Sequence, residues 1–229
     1  MKIYGLQKLT LLDFPERVAC TVFTGGCNFR CPFCHNSALV FLGDTPAMDE
    51  EDFFAFLRKR VGILDGVAVT GGEPLLTDDI FPFLRRIKDM GYAVKLDTNG
   101  SFPRRLREAV ESGLVDYVAM DIKNSPAKYA GTCGLAAVDL GKIEQSIDFL
   151  MRGSVPYEFR TTVVREFHTR EDMEAIGRRI AGAERYFLQN FVDSGACIAE
   201  GFSAVEPDEL RLYESLVRKY VQTAQIRGV

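Results

Sequence analysis

No stretch of the 229 residues approaches the roughly 20 consecutive apolar positions of a membrane-spanning helix. The start, Met1-Lys2-Ile3-Tyr4-Gly5-Leu6, carries no signal-peptide pattern. Positive charge is not in excess: 28 Lys and Arg stand against 32 Asp and Glu, a formal net charge of −4, which excludes bulk attraction to nucleic acid or an anionic membrane. Repeats and low-complexity tracts are missing, and histidine is down to two residues, His35 and His168. These absences leave a globular protein, expected in the cytoplasm, with 47% apolar and 26% charged residues. It is long enough to bury a core. On a prior of about 150 residues per domain, which α/β barrels often exceed, residues 1–229 read as one domain.

What is present is an uneven set of six cysteines, three of them within eight residues. A cytosolic chain of this size needs no disulfide framework, and clustered thiols there bind metal or do redox work. Cys20 sits inside the apolar run Val18–Phe23 and reads as a small core residue. Cys133 and Cys197 stand alone among Gly, Thr and Ala and read as inert loop cysteines.

Short β-branched runs alternate with longer amphipathic ones. The expected strands are Val18–Thr24, Gly66–Thr70, Ala93–Asp97, Tyr117–Asp121, Tyr157–Val164 and Tyr186–Gln189. The expected helices are Asp49–Val61, Asp78–Met90, Pro103–Ser112, Lys142–Arg152, Arg170–Ala181 and Pro207–Thr223, with Gly91, Gly113 and Gly153 at C-terminal glycine positions. Strand–helix alternation implies a parallel sheet with right-handed crossovers. A full eight-unit barrel usually takes about 250 residues, so six units predict an α/β fold closing as a partial (β/α)6 TIM-like barrel. Chemistry in such a fold collects at the C-terminal strand ends. Four successive strands end in polar signatures there: Gly25-Gly26-Cys27, Gly71-Gly72-Glu73-Pro74, Asp97-Thr98-Asn99-Gly100 and Asp121-Ile122-Lys123.

The run Cys27-Asn28-Phe29-Arg30-Cys31-Pro32-Phe33-Cys34 offers three thiolates on a Pro-bent loop. Such ligands suit zinc or an iron–sulfur cluster, and spacing alone does not choose. A structural zinc would want a fourth protein ligand. His35 directly follows Cys34, and adjacent side chains seldom converge on one metal; His168 could join only through folding. Iron–sulfur sites are commonly held by four cysteines, so three suit a [4Fe–4S] cluster with one iron left open for substrate. Phe29 and Phe33 flank the cysteines as a shield. In Gly71-Gly72-Glu73-Pro74, two glycines allow close backbone approach, and the Glu73 carboxylate offers an acceptor to an ammonium.

The C-x3-C-x2-C spacing, with Phe33 just before the third cysteine, resembles the signature of the radical S-adenosylmethionine superfamily. The Gly71-Gly72-Glu73-Pro74 run resembles that superfamily's motif for the cofactor's amino group. Asp97, Thr98, Asp121 and Lys123 resemble strand ends of glycyl-radical-enzyme activases. There, the resemblance implies, the aspartates and threonine hold a monovalent cation and the lysine contacts the cofactor carboxylate. Arg160 resembles a further residue reaching the cofactor. Lys8-Leu9-Thr10-Leu11-Leu12-Asp13-Phe14-Pro15 and Gly25–Ser37 resemble the activating proteins of anaerobic ribonucleoside-triphosphate reductase. One departure stands out: where some activases carry a histidine on the last strand, this chain has Phe187-Leu188-Gln189-Asn190-Phe191.

The resemblance implies an enzyme that uses a [4Fe–4S] cluster and S-adenosylmethionine to make a 5′-deoxyadenosyl radical. Its target would be a glycine of a partner glycyl radical enzyme, an anaerobic ribonucleotide reductase. A small electron donor such as flavodoxin or ferredoxin is implied as well. Two other functions compete: a small-molecule radical enzyme, such as the ring-contracting enzyme of deazapurine synthesis, and a non-catalytic zinc-stabilised binding module.

Overall fold

The computed structural model describes residues 1–41 and 46–227. Eight strands form one sheet in chain order: β1 Ile3–Thr10, β2 Ala19–Thr24, β3 Gly66–Gly71, β4 Ala93–Thr98, β5 Tyr117–Asp121, β6 Tyr157–Val163, β7 Arg185–Asn190 and β8 Thr223–Arg227. All neighbours pair in parallel except β1, which runs antiparallel to β2. The connection between β1 and β2 is too short for a crossover, so antiparallel pairing is the accessible arrangement. The helices are α1 Ser37–Val40, α2 Glu50–Arg58, α3 Ile80–Asp89, α4 Pro103–Glu111, α5 Tyr129–Thr132, α6 Leu140–Met151, α7 Arg170–Arg179 and α8 Pro207–Val217. Among the described residues, no helix is long and apolar enough to cross a membrane.

The six expected strands are β2–β7, and the partial-barrel architecture holds. Two strands escaped the sequence pattern. β1 contains Gly5, Gln7 and Lys8 and buries only its two end residues, so it lacks the apolar alternation of a core strand. β8 has no counterpart among the expected elements, and the helix expected over Pro207–Thr223 overruns α8. In fact α8 stops at Val217, and the chain turns at 218–222 into a half-exposed edge strand. The expected glycine stops hold: Gly91, Gly113 and Gly153 follow α3, α4 and α6 with φ of 85°, 68° and 78°.

The central strands are buried on both faces, which explains their unbroken apolar runs. The barrel floor is plugged by Phe14, whose ring lies 6.2 Å from Tyr117 and packs on Ala19 and Ala93. Above it, buried Glu158 accepts from Tyr117 at 2.9 Å and from both terminal nitrogens of Arg227 at 2.7 and 2.9 Å. Period-2 spacing then carries the inward face of β6 upward from Glu158 through Arg160 to Thr162.

Candidate active site

The cysteine loop leaves β2 and runs across the C-terminal mouth of the barrel, held by its backbone to later segments of the chain. Gly72 N–H donates to Thr24 O at 3.0 Å and Glu73 N–H to Gly26 O at 2.8 Å. Arg30 N–H donates to Cys133 O at 2.8 Å, and Ala199 N–H donates to Pro32 O at 2.9 Å. The Arg30 guanidinium folds back onto the carbonyls of Cys27 and Phe29. A Cβ on Gly72 would stand 1.9 Å from Gly26 O, and one on Gly71, at φ +123°, 2.2 Å from Thr24 O. These glycines are required by the approach of the cysteine loop itself, a nearer cause than the approach to a ligand that the motif suggested.

A cavity of about 200 Å³ opens at this end of the barrel. Cys27, Cys31 and Cys34 line one side of it, together with Phe29 and Phe33. Phe33 is buried and packs on Phe167 with ring centroids 5.6 Å apart. The expected residues Gly71, Gly72, Asp97, Thr98, Asp121, Lys123 and Arg160 line the same cavity.

Asp121 and Arg160 are register partners on β5 and β6. Arg160 bonds Asp121 Oδ1 from Nε at 3.1 Å and reaches Asp97 Oδ2 from a terminal nitrogen at 3.2 Å. Lys123 Nζ bonds Asp121 Oδ2 at 2.9 Å, and the buried Lys95, two residues before Asp97 on the same strand face, bonds Asp97 Oδ1. Burial works against ionising Asp121, but Lys123 and Arg160 override it and hold the carboxyl at about 2. Asp97 is likewise held below its ordinary value against burial, by Arg160 and Lys95. Lys123 and Arg160 are raised despite burial by the facing carboxylates. Among the residues that line the cavity, two cations, Lys123 and Arg160, stand against two carboxylates, with Lys95 buried behind Asp97. Asp97 and Asp121, expected with Thr98 to hold a monovalent cation, are met here by these side-chain cations, and the Thr98 hydroxyl donates to Glu73 at 2.8 Å. Lys123 and Arg160 suit an anionic ligand group.

Glu73, expected at the cofactor's amino group, is 1% exposed and lies behind the cavity lining. Its carboxylate accepts from Leu75 N at 3.1 Å, Thr98 Oγ1 at 2.8 Å and Asn99 N at 2.6 Å, tying the end of β3 to the end of β4. Burial raises its pKa from 4.5 to about 7, against these three donors. Between those values the folded chain holds the proton that the unfolded chain has released, so stability falls as pH rises from about 4.5 to about 7. The loss attributable to this group is on the order of 2–3 kcal/mol. Urea unfolding of wild type and Glu73→Gln at pH 5 and pH 8 checks this. The gap between the two proteins should narrow at pH 8, and a gap independent of pH would contradict it.

The histidines and lone cysteines are placed differently from the sequence reading. His168, expected as a polar loop residue, is 2% exposed. Its Nδ1 accepts from Val164 N at 3.1 Å, leaving Nε2–H to donate to Lys123 O at 3.0 Å. It fixes the backbone of Lys123 and does not face the cavity. His35 lines the cavity and stacks on Phe191 at 5.2 Å. Cys20 is a buried core residue, as expected. Cys133 stands at the C-terminal end of α5 and is fully buried, and its influence lowers the Cys31 thiol to about 7 against burial. Cys197 is half-buried on the loop that covers Pro32, close enough to add negative potential at Cys34. Burial raises Cys27 to about 11 and raises Cys34 as well. Sequence reasoning also missed Asn99 as a lining residue; its amide contacts Cys27 Sγ at 4.0 Å and Asn28 Oδ1 at 2.9 Å. Lys95 was legible in principle, from its period-2 spacing to Asp97, whereas no spacing signal pointed to Cys133.

Among the described residues, no three His, Cys, Asp or Glu side chains converge as a single metal ion would need. The three loop thiols that line the cavity are the donors that would hold an iron–sulfur cluster. The buried aromatics beside them supply the apolar surroundings that tune such clusters.

Comparison with known proteins agrees with this geometry. A relative from Methanocaldococcus jannaschii, named as a glycyl-radical enzyme activating enzyme, is 31% identical over 99% of this chain and 96% of its own length. A 7-carboxy-7-deazaguanine synthase of Koribacter versatilis is 30% identical over 89% of this chain and 88% of its own. The chain spans less than half of a GTP 3′,8-cyclase of Thermococcus kodakarensis, 46% of its length, at 32% identity over 62% of this chain. In fold, it matches a domain of pyruvate-formate lyase-activating enzyme from Bacteroides vulgatus with a TM-score of 0.59, covering 71% of this chain and 99% of that one at 18% identity. It also matches Streptococcus suis SuiB bound to S-adenosylmethionine with a TM-score of 0.67, over 90% of this chain and 49% of that one at 15% identity. The family model described as the Radical SAM superfamily matches residues 21–180, from β2 through α7. With that match spanning the cysteine loop and all four polar strand ends, the chain belongs to the radical SAM superfamily.

Proposed function

We propose that this chain is an activating enzyme for a glycyl radical enzyme, with an anaerobic ribonucleotide reductase as its partner. The observation that carries this reading is the pairing of the three-thiol cavity and its lining cations, Lys123 and Arg160, with a nearly full-length likeness to a relative so named. Cys27, Cys31 and Cys34 hold three irons of a [4Fe–4S] cluster and leave the fourth open. The chemistry supplied by the bound cluster and S-adenosylmethionine is reductive cleavage to a 5′-deoxyadenosyl radical, which takes a hydrogen atom from the substrate.

The protein's own contribution is binding and orientation. Lys123 and Arg160 meet the carboxylate of S-adenosylmethionine, with Asp97 and Asp121 holding both cations in place. Backbone groups of Gly71 and Gly72 flank the amino group, and the Thr98 side, pinned by Glu73, keeps the facing wall fixed. Phe29 and Phe33 keep water from the thiol side. A glycine substrate suits a site at the barrel mouth, because its Cα–H is reachable without a side chain in the way. The first electron comes from a small carrier such as flavodoxin or ferredoxin.

The test mixes anaerobically reconstituted protein, reductant and S-adenosylmethionine with an anaerobic ribonucleotide reductase. A glycine-centred radical should appear by electron paramagnetic resonance, with about one 5′-deoxyadenosine formed per radical. No radical on any glycyl radical partner would overturn the proposal. Turnover of a small heterocycle without a protein partner would replace it with the ring-contracting reading favoured by the deazaguanine synthase relative. A colourless protein holding one zinc would replace both.

A further inference from the structure

Asn99 follows Thr98 at the exit from β4 and is 6% exposed. Its backbone N–H donates to Glu73 Oε2 at 2.6 Å. Its side chain belongs to a closed ring of three. Ser101 Oγ donates to Asn99 Oδ1 at 2.5 Å, Asn99 Nδ2 donates to Asn28 Oδ1 at 2.9 Å, and Asn28 Nδ2 donates to Ser101 Oγ at 2.9 Å. The backbone N–H of Ser101 donates to Asn99 Oδ1 as well, at 3.0 Å. A backbone N–H can only donate. The oxygen of the Asn99 amide is therefore the atom that faces Ser101, and the nitrogen is the atom that faces the cysteine loop. The turn that carries Asn99 is itself held: Ser146 of α6 donates to Gly100 O at 2.7 Å, and Gly100 N–H donates to Thr98 Oγ1 at 3.1 Å.

An amide nitrogen has two hydrogens to give. One goes to Asn28, inside the cysteine loop. The other has Cys27 Sγ as its acceptor, with nitrogen and sulfur 4.0 Å apart. The same sulfur accepts from Phe29 N–H at 3.3 Å, within its own loop, whereas Asn99 reaches it from another strand end. The Asn99 contact is long, and it acts through the amide dipole aimed at the sulfur. A neutral thiol gains little from that dipole. A ligating thiolate carries charge, and a donor to an ionised group gains strength, more so where water is kept away. Reduction adds an electron to the cluster and its sulfurs, so the same donor favours the reduced state over the oxidised one. Hydrogen bonds to ligand sulfurs are among the levers that set cluster potentials.

We propose that Asn99 is a positioning residue for the cluster, whose amide clamps the cysteine loop through Asn28 and turns its second N–H to the Cys27 sulfur, making the cluster easier to reduce. The inference rests on the cluster site proposed above and concerns the first electron, ahead of any substrate.

The test is potentiometric titration of the reconstituted cluster, followed by electron paramagnetic resonance, without substrate or partner. Asn99→Leu keeps the bulk and removes the donor. Its midpoint should move to more negative potential by a three- to tenfold loss in the one-electron reduction equilibrium, about 28–59 mV. Asn28→Ala opens the ring but leaves the Asn99 amide in place, and its midpoint should stay closer to wild type than to Asn99→Leu. Should the leucine variant hold too little cluster to titrate, Asn99→Asp takes its place; it has the same shape and no N–H to give, and should shift at least as far. A donor-free variant at the wild-type potential overturns the inference. So does an Asn28→Ala protein shifted as far as Asn99→Leu, which would mark a displaced loop in place of a lost donor. If wild type takes no cluster, the reading beneath the inference fails with it. A loaded wild type and an unshifted donor-free variant sink the inference alone.

Discussion

Replacing Cys27, Cys31 or Cys34 singly by alanine abolishes formation of methionine and 5′-deoxyadenosine from S-adenosylmethionine. Loss of an outer-shell partner of a metal site typically costs 10–100-fold; loss of one of only three ligands goes beyond that, because two thiolates hold a cluster poorly. All three cysteines line one cavity, so none has a substitute in place. Cys133 does not serve as one, because it is fully buried and does not line the cavity. Iron and sulfide content, visible absorption and product chromatography read the effect together. Cys20→Ala is the control: Cys20 is a buried residue of β2 that does not line the cavity, and the substitution should cost stability without removing iron. Cleavage that persists in any of the three ligand variants refutes that residue as a ligand.

The second large effect belongs to Arg160→Met. Removing the guanidinium leaves Asp97 and Asp121 facing each other, with Lys95 and Lys123 reaching only their outer oxygens. Breaking a buried ion pair by deleting one partner typically costs about 3–5 kcal/mol, so the unfolding free energy should fall by an amount in that range, read as a lower urea midpoint. The lining also loses one of its two cations, and the affinity for S-adenosylmethionine should drop at least about tenfold, as one bidentate charge-assisted contact would suggest. Arg160→Lys should rescue little. An ammonium is a point charge and cannot bridge two carboxylates on adjacent strands as a planar fork does. A stable Arg160→Met protein with unchanged cofactor affinity would show that the bridge serves neither purpose.

The sequence disclosed those parts of the molecule where two local signals coincide. β2–β7 were legible because each is an apolar run, and β2–β5 each end abruptly in Gly, Asp or Glu. The cysteine spacing, the glutamate motif and the two aspartate motifs mark the cavity correctly because they sit on strand ends that the parallel topology gathers at one mouth. β1 and β8 were not legible: they are edge strands with polar residues on half-exposed faces, and their pairing is decided by neighbours rather than by pattern. Glu73 shows a different limit. Its place in the motif is readable, but which way the carboxylate turns depends on Thr98 and Asn99 of the next strand. The charge balance at Asp97 and Asp121 is the same kind of problem, since Lys95 and Arg160 enter it from two strands and no single segment carries the sum. Cys133 lies about a hundred residues from Cys31, and only the turn at Gly134 brings them together.

Strand order equal to chain order has a consequence for the timing of biosynthesis. As the chain leaves the ribosome, each strand can pair with the one made just before it. The cysteine loop is among the first segments to emerge, yet its holds arrive one by one: Gly72 and Glu73 with β3, Asn99 with β4, Cys133 after β5 and Ala199 after β7. The thiols are thus synthesised early and fixed late. A ribosome-bound fragment ending before residue 199 presents them on a loop still missing the hold that Ala199 gives Pro32.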